Sequence, residues 1–160
     1  MVAGSVAANS YAPARTTNDI DIVVKISVAD IDVVIEAFSK DFYINSHEAI
    51  RDSIERHYPF NVVSLTSAAK VDLVPLKPDP FAQTEFNRRQ SLAIGADKFW
   101  YVTPEDYVVA KLKTYVATNS ERQWHDLKNV VATQKENLDW TYMRAWADRL
   151  SLRDALEALL

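Results

Sequence analysis

The chain predicts an α/β (α+β) fold: a small mixed sheet flanked by helices, with a C-terminal helical part. Three observations carry that prediction. Short β-branched runs alternate with helical segments as far as residue 102. Two of those runs, 60–66 and 70–76, are separated only by Ser67-Ala68-Ala69, a hairpin-length connection that pairs them antiparallel. From Thr103 onward the pattern is helical only. No linker marks the change of style, so residues 1–102 are read as an α/β core and residues 103–160 as helices packed on it, in one folding unit.

The elements follow in order. Residues 1–4 suit a short buried strand, and 5–11 a small-residue helix that Ser5 could cap. DIDIVVKI at 19–26 is the clearest strand, with Asp19, Asp21 and Val23 on one face and Ile20, Ile22 and Val24 on the other. Ser27 with Asp30 forms a capping box for a helix to about Lys40. A short strand at 42–44 follows, then a helix capped by Asn45 with Glu48 and ending near His57. After the 60–66 and 70–76 pair, Asp79-Pro80 starts a short helix through about Arg88. Residues 90–94 and 98–102 read as strand or extended loop. Thr103-Pro104-Glu105-Asp106 combines a cap, a first-position proline and first-turn acids. Ser120 with Gln123 caps the next helix, and two short amphipathic helices begin near Asp139 and Ser151, the second with Asp154 completing a box. His47 and His57 read as surface residues.

Composition narrows the chemistry. The 160 residues contain no cysteine, which excludes disulfides, thiolate metal sites and a cysteine nucleophile. Hydrophobic residues make 48% and charged residues 25%, the balance of a globular chain and not of a disordered one. The net charge is −4, so no global basic field draws the molecule to nucleic acid. No apolar run reaches bilayer length. The opening MVAGSVAANSYA lacks a basic stretch ahead of its apolar part, so no secretory leader is expected and the chain is expected to be cytoplasmic. With three histidines and no cysteine, a metal site would be built from carboxylates, which suit Mg²⁺ or Mn²⁺.

Those carboxylates have a pattern. Asp19 and Asp21 lie two apart on a strand, which places both on one face with Cα atoms about 7 Å apart. Asp72 in KVDLV alternates against Val71 and Leu73 in the same way. If the two strands are neighbours in register, three acids converge, and side-by-side carboxylates repel unless a cation lies between them. An Asp on the wet face of a strand is commonly just solvated. Asp is also a poor strand former, so three of them in two strands cost stability without a packing return.

The motifs together resemble the nucleotidyltransferase superfamily of the polymerase-beta type. They are Gly4-Ser5, the run from Arg15-Thr16-Thr17-Asn18-Asp19-Ile20-Asp21 through Val24, and Lys70-Val71-Asp72-Leu73-Val74. The likeness is closer to the small bacterial nucleotidyltransferase-like proteins, abortive-infection toxins included. Tyr107-Val108-Val109-Ala110-Lys111-Leu112-Lys113 and Arg122-Gln123-Trp124-His125-Asp126-Leu127 are similar to their helical segment. The gap from Ser5 to Asp19 is on the long side for that family.

The resemblance implies a nucleotidyltransferase fold and a Mg²⁺ or Mn²⁺ ion held by Asp19, Asp21 and Asp72, with Asp72 helping to deprotonate the acceptor. Gly4, Ser5, Thr17 and Lys111 would bind nucleotide: Gly4 by close backbone approach, Ser5 by its hydroxyl and the start of its helix, Lys111 by pairing with phosphate, with Asp126 orienting it. Read from their residue types alone, Ser5 is an N-cap and Lys111 a solvated helix charge. The expected activity is transfer of NMP from a nucleoside triphosphate to a hydroxyl of RNA, protein or a small molecule. The alternative is a catalytically silent nucleotide-binding module, or a toxin–antitoxin interaction module with an antitoxin partner. Residues 111–135 set Lys111, Lys113, Arg122, Lys128 and Lys135 against Glu121 and Asp126, a band that could meet a tRNA backbone or simply be solvated.

Overall fold

The β-branched segments assemble into one seven-stranded mixed sheet in the order β3-β4-β5-β2-β1-β7-β6. The computed structural model describes residues 1–160. Its strands are β1 (Val2–Ala3), β2 (Asp19–Val24), β3 (Phe42–Ile44), β4 (Phe60–Ser64), β5 (Lys70–Pro75), β6 (Gln90–Ile94) and β7 (Asp97–Tyr101). The helices are α1 (Gly4–Ala8), α2 (Ile31–Phe38), α3 (His47–Arg56), α4 (Pro80–Arg88), α5 (Pro104–Thr118), α6 (Glu121–Gln134), α7 (Trp140–Arg149) and α8 (Arg153–Glu157).

Two pairings place the acids. β2 runs parallel to β5 with Asp21 opposite Asp72 and Asp19 opposite Lys70. β1 runs antiparallel to β2 with Ala3 opposite Asp21. The expected β4–β5 pair is antiparallel, as its short connection requires. β6 and β7 form an antiparallel hairpin turned at Gly95, whose φ of +62° suits glycine.

Strand alternation sorts the side chains to two faces. Ile22, Val24, Val71 and Leu73 pack with Ile31, Ile50, Ile54, Phe60 and Val62 under α2 and α3, forming a small core. A larger core joins Val2, Tyr101 and Val102 to residues of α1, α4, α5, α6, α7 and α8. Asp21, Val23 and Val74 face the other way, into a cleft that α4 and α5 border.

Several caps differ from expectation. Ser5 lies inside α1, whose cap position is Ala3, and its hydroxyl is taken by Arg15. α3 is capped by Ser46, which accepts from the Ala49 N–H, because Asn45 instead accepts from the Asn61 N–H and fastens the loop to β4. Ser120 makes no cap bond, and the Gln123 side chain that would complete its box is turned to Lys111. Ser151 takes φ +58° and Leu152 precedes α8, so no Asp154 box forms. His57 is half-buried and ends α3 in the left-handed region at φ 55°. The remaining signals hold: the Asp30 carboxylate accepts from the Ser27 N–H at 2.7 Å, and Asp79, Thr103 and Asp139 cap α4, α5 and α7. The Ser27–Asp30 box opens a 3-10 turn at Val28–Asp30, which leads into α2.

Candidate functional site

Asp21 and Asp72 stand side by side because register sets them there. Burial, and next the charge of Asp72, push the Asp21 carboxyl above its ordinary range, while Lys111 and Lys70 oppose the shift. Asp72 Oδ1 is buried without a hydrogen-bond partner. A pair of this kind calls for a cation. The positive charge that the protein itself supplies is Lys70, whose Nζ lies 3.2 Å from Asp72 Oδ2 and 3.8 Å from Asp19 Oδ1. Asp19 is exposed at the rim, and no three acidic or histidine side chains close into a ligand set at coordinating distance. Asp21 and Asp72 are the residues that could hold a hard divalent cation, with Asp19 joining if Lys70 withdraws.

Gly4 has a reason beyond the one its motif implies. Its φ is +58°, and a Cβ there would overlap the Asp21 carboxylate. Glycine therefore keeps open the space that Asp21 occupies. α1, which follows, has only five residues, so the anion-attracting field at its start is weaker than the motif implies.

The long segment between Ser5 and Asp19 is where the sequence says least. Arg15, within it, donates from Nε and Nη2 to the two carboxylate oxygens of Asp126 on α6, both at 2.9 Å, and from Nη2 to Ser5 Oγ at 2.6 Å. Asp126 is 6% exposed; burial alone would raise its carboxyl, but the Arg15 fork and then Lys111 hold it below the usual range. Lys111 Nζ lies 3.7 Å from Asp126 Oδ2 and donates to Gln123 Oε1 at 2.5 Å. Burial depresses the Lys111 ammonium, and Asp126 partly restores it. Lys111 is thus oriented by two residues of α6 rather than free in solvent.

The cleft has a volume of about 340 Å³. Its walls are Gly4, Asp21 and Val23, then Val74 and Pro75 at the end of β5 with Leu76 and Lys77 after them, Phe81, Ala82 and Glu85 of α4, and Tyr107, Lys111 and Thr114 of α5. Of the residues singled out from sequence, Gly4, Asp21 and Lys111 meet here, with Asp72 beside Asp21. Ser5 lies behind, bound to Arg15, and Thr17 is outside, its hydroxyl donating to the Asp19 carbonyl.

Two cleft residues escaped sequence reasoning. Tyr107 carries a buried hydroxyl without a partner. Glu85 sits four residues after the buried Phe81, and its carboxyl is pushed up to about 8 by burial and then by Asp106 and Asp79. An acid on the inward face of α4 was the available signal.

No protein-family model and no curated protein matches the sequence. Among solved structures, the chain is similar to the crystal structure of an antigenic nucleotidyltransferase-like protein from Paracoccidioides brasiliensis. The likeness covers 99% of this chain and 82% of the other, with a TM-score of 0.53 and 15% sequence identity. At that identity the likeness shows architecture and leaves activity to the site itself. A mixed seven-stranded sheet flanked by helices, aligned over nearly the whole chain, gives the protein a nucleotidyltransferase-like fold.

Proposed function

We propose that the protein is a Mg²⁺- or Mn²⁺-dependent nucleotidyltransferase that moves NMP from a nucleoside triphosphate to an acceptor hydroxyl. The observation that carries this reading is the register pairing of Asp21 with Asp72 on parallel neighbours, beside Gly4 and Lys111 in one cleft. The donor set fits a hard cation, because the buried Asp72 Oδ1 lacks a partner and the Asp21 carboxyl is held above its usual range. When bound, the ion supplies charge neutralisation for the triphosphate and polarises the acceptor oxygen.

The chain's own residues do the rest. Asp72 helps to take the proton of the acceptor hydroxyl. That oxygen attacks the α-phosphorus in line, its bond forms as the bond to pyrophosphate breaks, and Lys111 pairs with the charge on the leaving group. Gln123 and Asp126 hold the Lys111 ammonium in place. Thr17 has no part in this account, since its hydroxyl is spent on the loop before β2.

The test is incubation with each α-³²P-labelled NTP and Mg²⁺, alone and with total tRNA, resolved on a gel. Label on RNA or protein that disappears in Asp21→Asn, whose fold is checked by circular dichroism, is the expected result. Undiminished labelling by Asp21→Asn would remove the metal assignment. If tRNA is the acceptor, its binding falls steeply with added salt.

The second reading is a silent nucleotide-binding module, or the toxin of a toxin–antitoxin pair of the abortive-infection type. The position of Lys70 between Asp19 and Asp72 favours the silent form. Tight binding of NTP analogues with no label transferred to any acceptor is its signature.

A further inference from the structure

The transfer chemistry leaves one acid of the cleft idle. Of the acids lining it, Asp21 faces Asp72 and Asp79 caps α4 through the Ala82 N–H. Glu85 does neither. The groups that act on its carboxyl do so through space, none by a hydrogen bond. A half-buried carboxyl that lines a cleft without a protein partner is open to a ligand that can pair with it.

The position within the cleft narrows the ligand. The charges that influence Asp21 are Asp72, Lys111, Asp19 and Lys70. Those that influence Glu85 are Asp106, Asp79 and Lys113. Asp21 reaches the cleft from β2 and Glu85 from α4, two different walls of one cavity. Between them the walls are apolar: Val23, Val74, Leu76, Phe81 and Ala110. A triphosphate engaged at Asp21 would find these apolar walls, and Glu85 in the same lining, for its flat heterocycle.

We propose that Glu85 reads the nucleobase, its carboxyl hydrogen-bonding the Watson–Crick edge of a heterocycle held in the apolar part of the cleft. The inference rests on the nucleotide reading of the site. Its chemistry has a consequence for specificity. Burial keeps Glu85 neutral at pH 7, where it offers an O–H donor beside a C=O acceptor. That pair matches any edge with a donor next to an acceptor, adenine included. The ionised form offers acceptors only. It repels adenine N1 and accepts the two adjacent donors of guanine, N1–H and N2–H. Asp79 and Asp106 favour the neutral form and Lys113 the ionised one; Lys111 and Lys77 also line the cleft.

The experiment measures calorimetric dissociation constants for the α,β-methylene analogues of ATP and GTP, with Mg²⁺, at pH 6.5 and pH 9.0. In the native protein the ratio Kd(GTP analogue)/Kd(ATP analogue) is expected to fall by about tenfold or more across that interval. Glu85→Gln keeps a donor and an acceptor at every pH and reports the ligands' own titration; its ratio is expected to stay nearly constant. Glu85→Leu loses affinity for both analogues at pH 6.5. The inference is overturned if native protein and Glu85→Gln show the same pH response. If the leucine variant does not fold, the isosteric glutamine variant carries the test by itself. Absence of binding by either analogue to the native protein would overturn the nucleotide reading, an outcome distinct from binding that ignores Glu85.

Discussion

Lys70 decides how the acidic pair behaves. Its register partner is Asp19, and its ammonium reaches Asp72 as well, so two of the three carboxylates share one internal cation. The hydrogen bond to Asp72 raises the Lys70 ammonium, which keeps it charged throughout the neutral range. A divalent ion at Asp21 and Asp72 therefore competes with Lys70. Lys70→Met is expected to bind Mn²⁺ about fivefold more tightly, since removing a partly exposed positive charge at this distance is worth roughly 1 kcal/mol. The same variant should melt at lower temperature in chelator, where its carboxylates have no counter-charge. Titration of Mn²⁺ by electron paramagnetic resonance checks the first point. Equal affinity in Lys70→Met and native protein would remove Lys70 as a competitor.

Among the elements, the segment between α1 and β2 and the helix α6 depend on each other. Arg15 grips Asp126 across 111 residues of sequence and holds Ser5 with the same nitrogen. Asp126 in turn steadies Lys111 on α5. The loop that precedes β2 is thereby tied through α6 to Lys111 on α5. Asp126→Ala leaves two half-buried cations without their anion and is expected to cost about 2–4 kcal/mol of stability. Arg15→Lys should recover little, because a single ammonium cannot reproduce the forked contact. Urea unfolding of the two variants measures both effects. A loss below about 0.5 kcal/mol for Asp126→Ala would show that the fork contributes no more than a surface pair.

For the whole molecule, the question is whether two cores make one folding unit. The smaller core lies under α2 and α3, and the larger joins β1 and β7 to the C-terminal helices. β2 links them: its Ile22 and Val24 pack on the small core, while its neighbours β5 and β1 extend the sheet towards both. A continuous hydrogen-bonded sheet cannot lose one half without exposing unpaired strand edges on the other. Val62→Ala in the small core and Leu127→Ala in the large one are expected to shift the same single calorimetric transition, by about 1–2 and 2–5 kcal/mol. Two resolved transitions, each moved by one variant, would divide the chain instead.

The strands, most helices and the acidic motif were legible because they rest on local physics. Alternation in DIDIVV assigns Asp21 and Ile22 to opposite faces whatever the strand's neighbours are. Pro104 after Thr103 starts a helix by backbone geometry alone. Failures cluster where a polar side chain had a choice of partner. Ser5, Asn45 and Ser120 all read as caps by local pattern. Ser5 is taken by Arg15, Asn45 by the Asn61 backbone, and the Gln123 side chain that would complete the Ser120 box turns to Lys111. The same holds for the site: composition and spacing named Asp19, Asp21 and Asp72, but register across β2 and β5 determined which two stand together and which one is left at the exposed rim. For Glu85 the spacing from Phe81 offered a signal, but its place in the cleft came only when α4 and α5 closed around it, because burial, unlike periodicity, is a property of the folded chain.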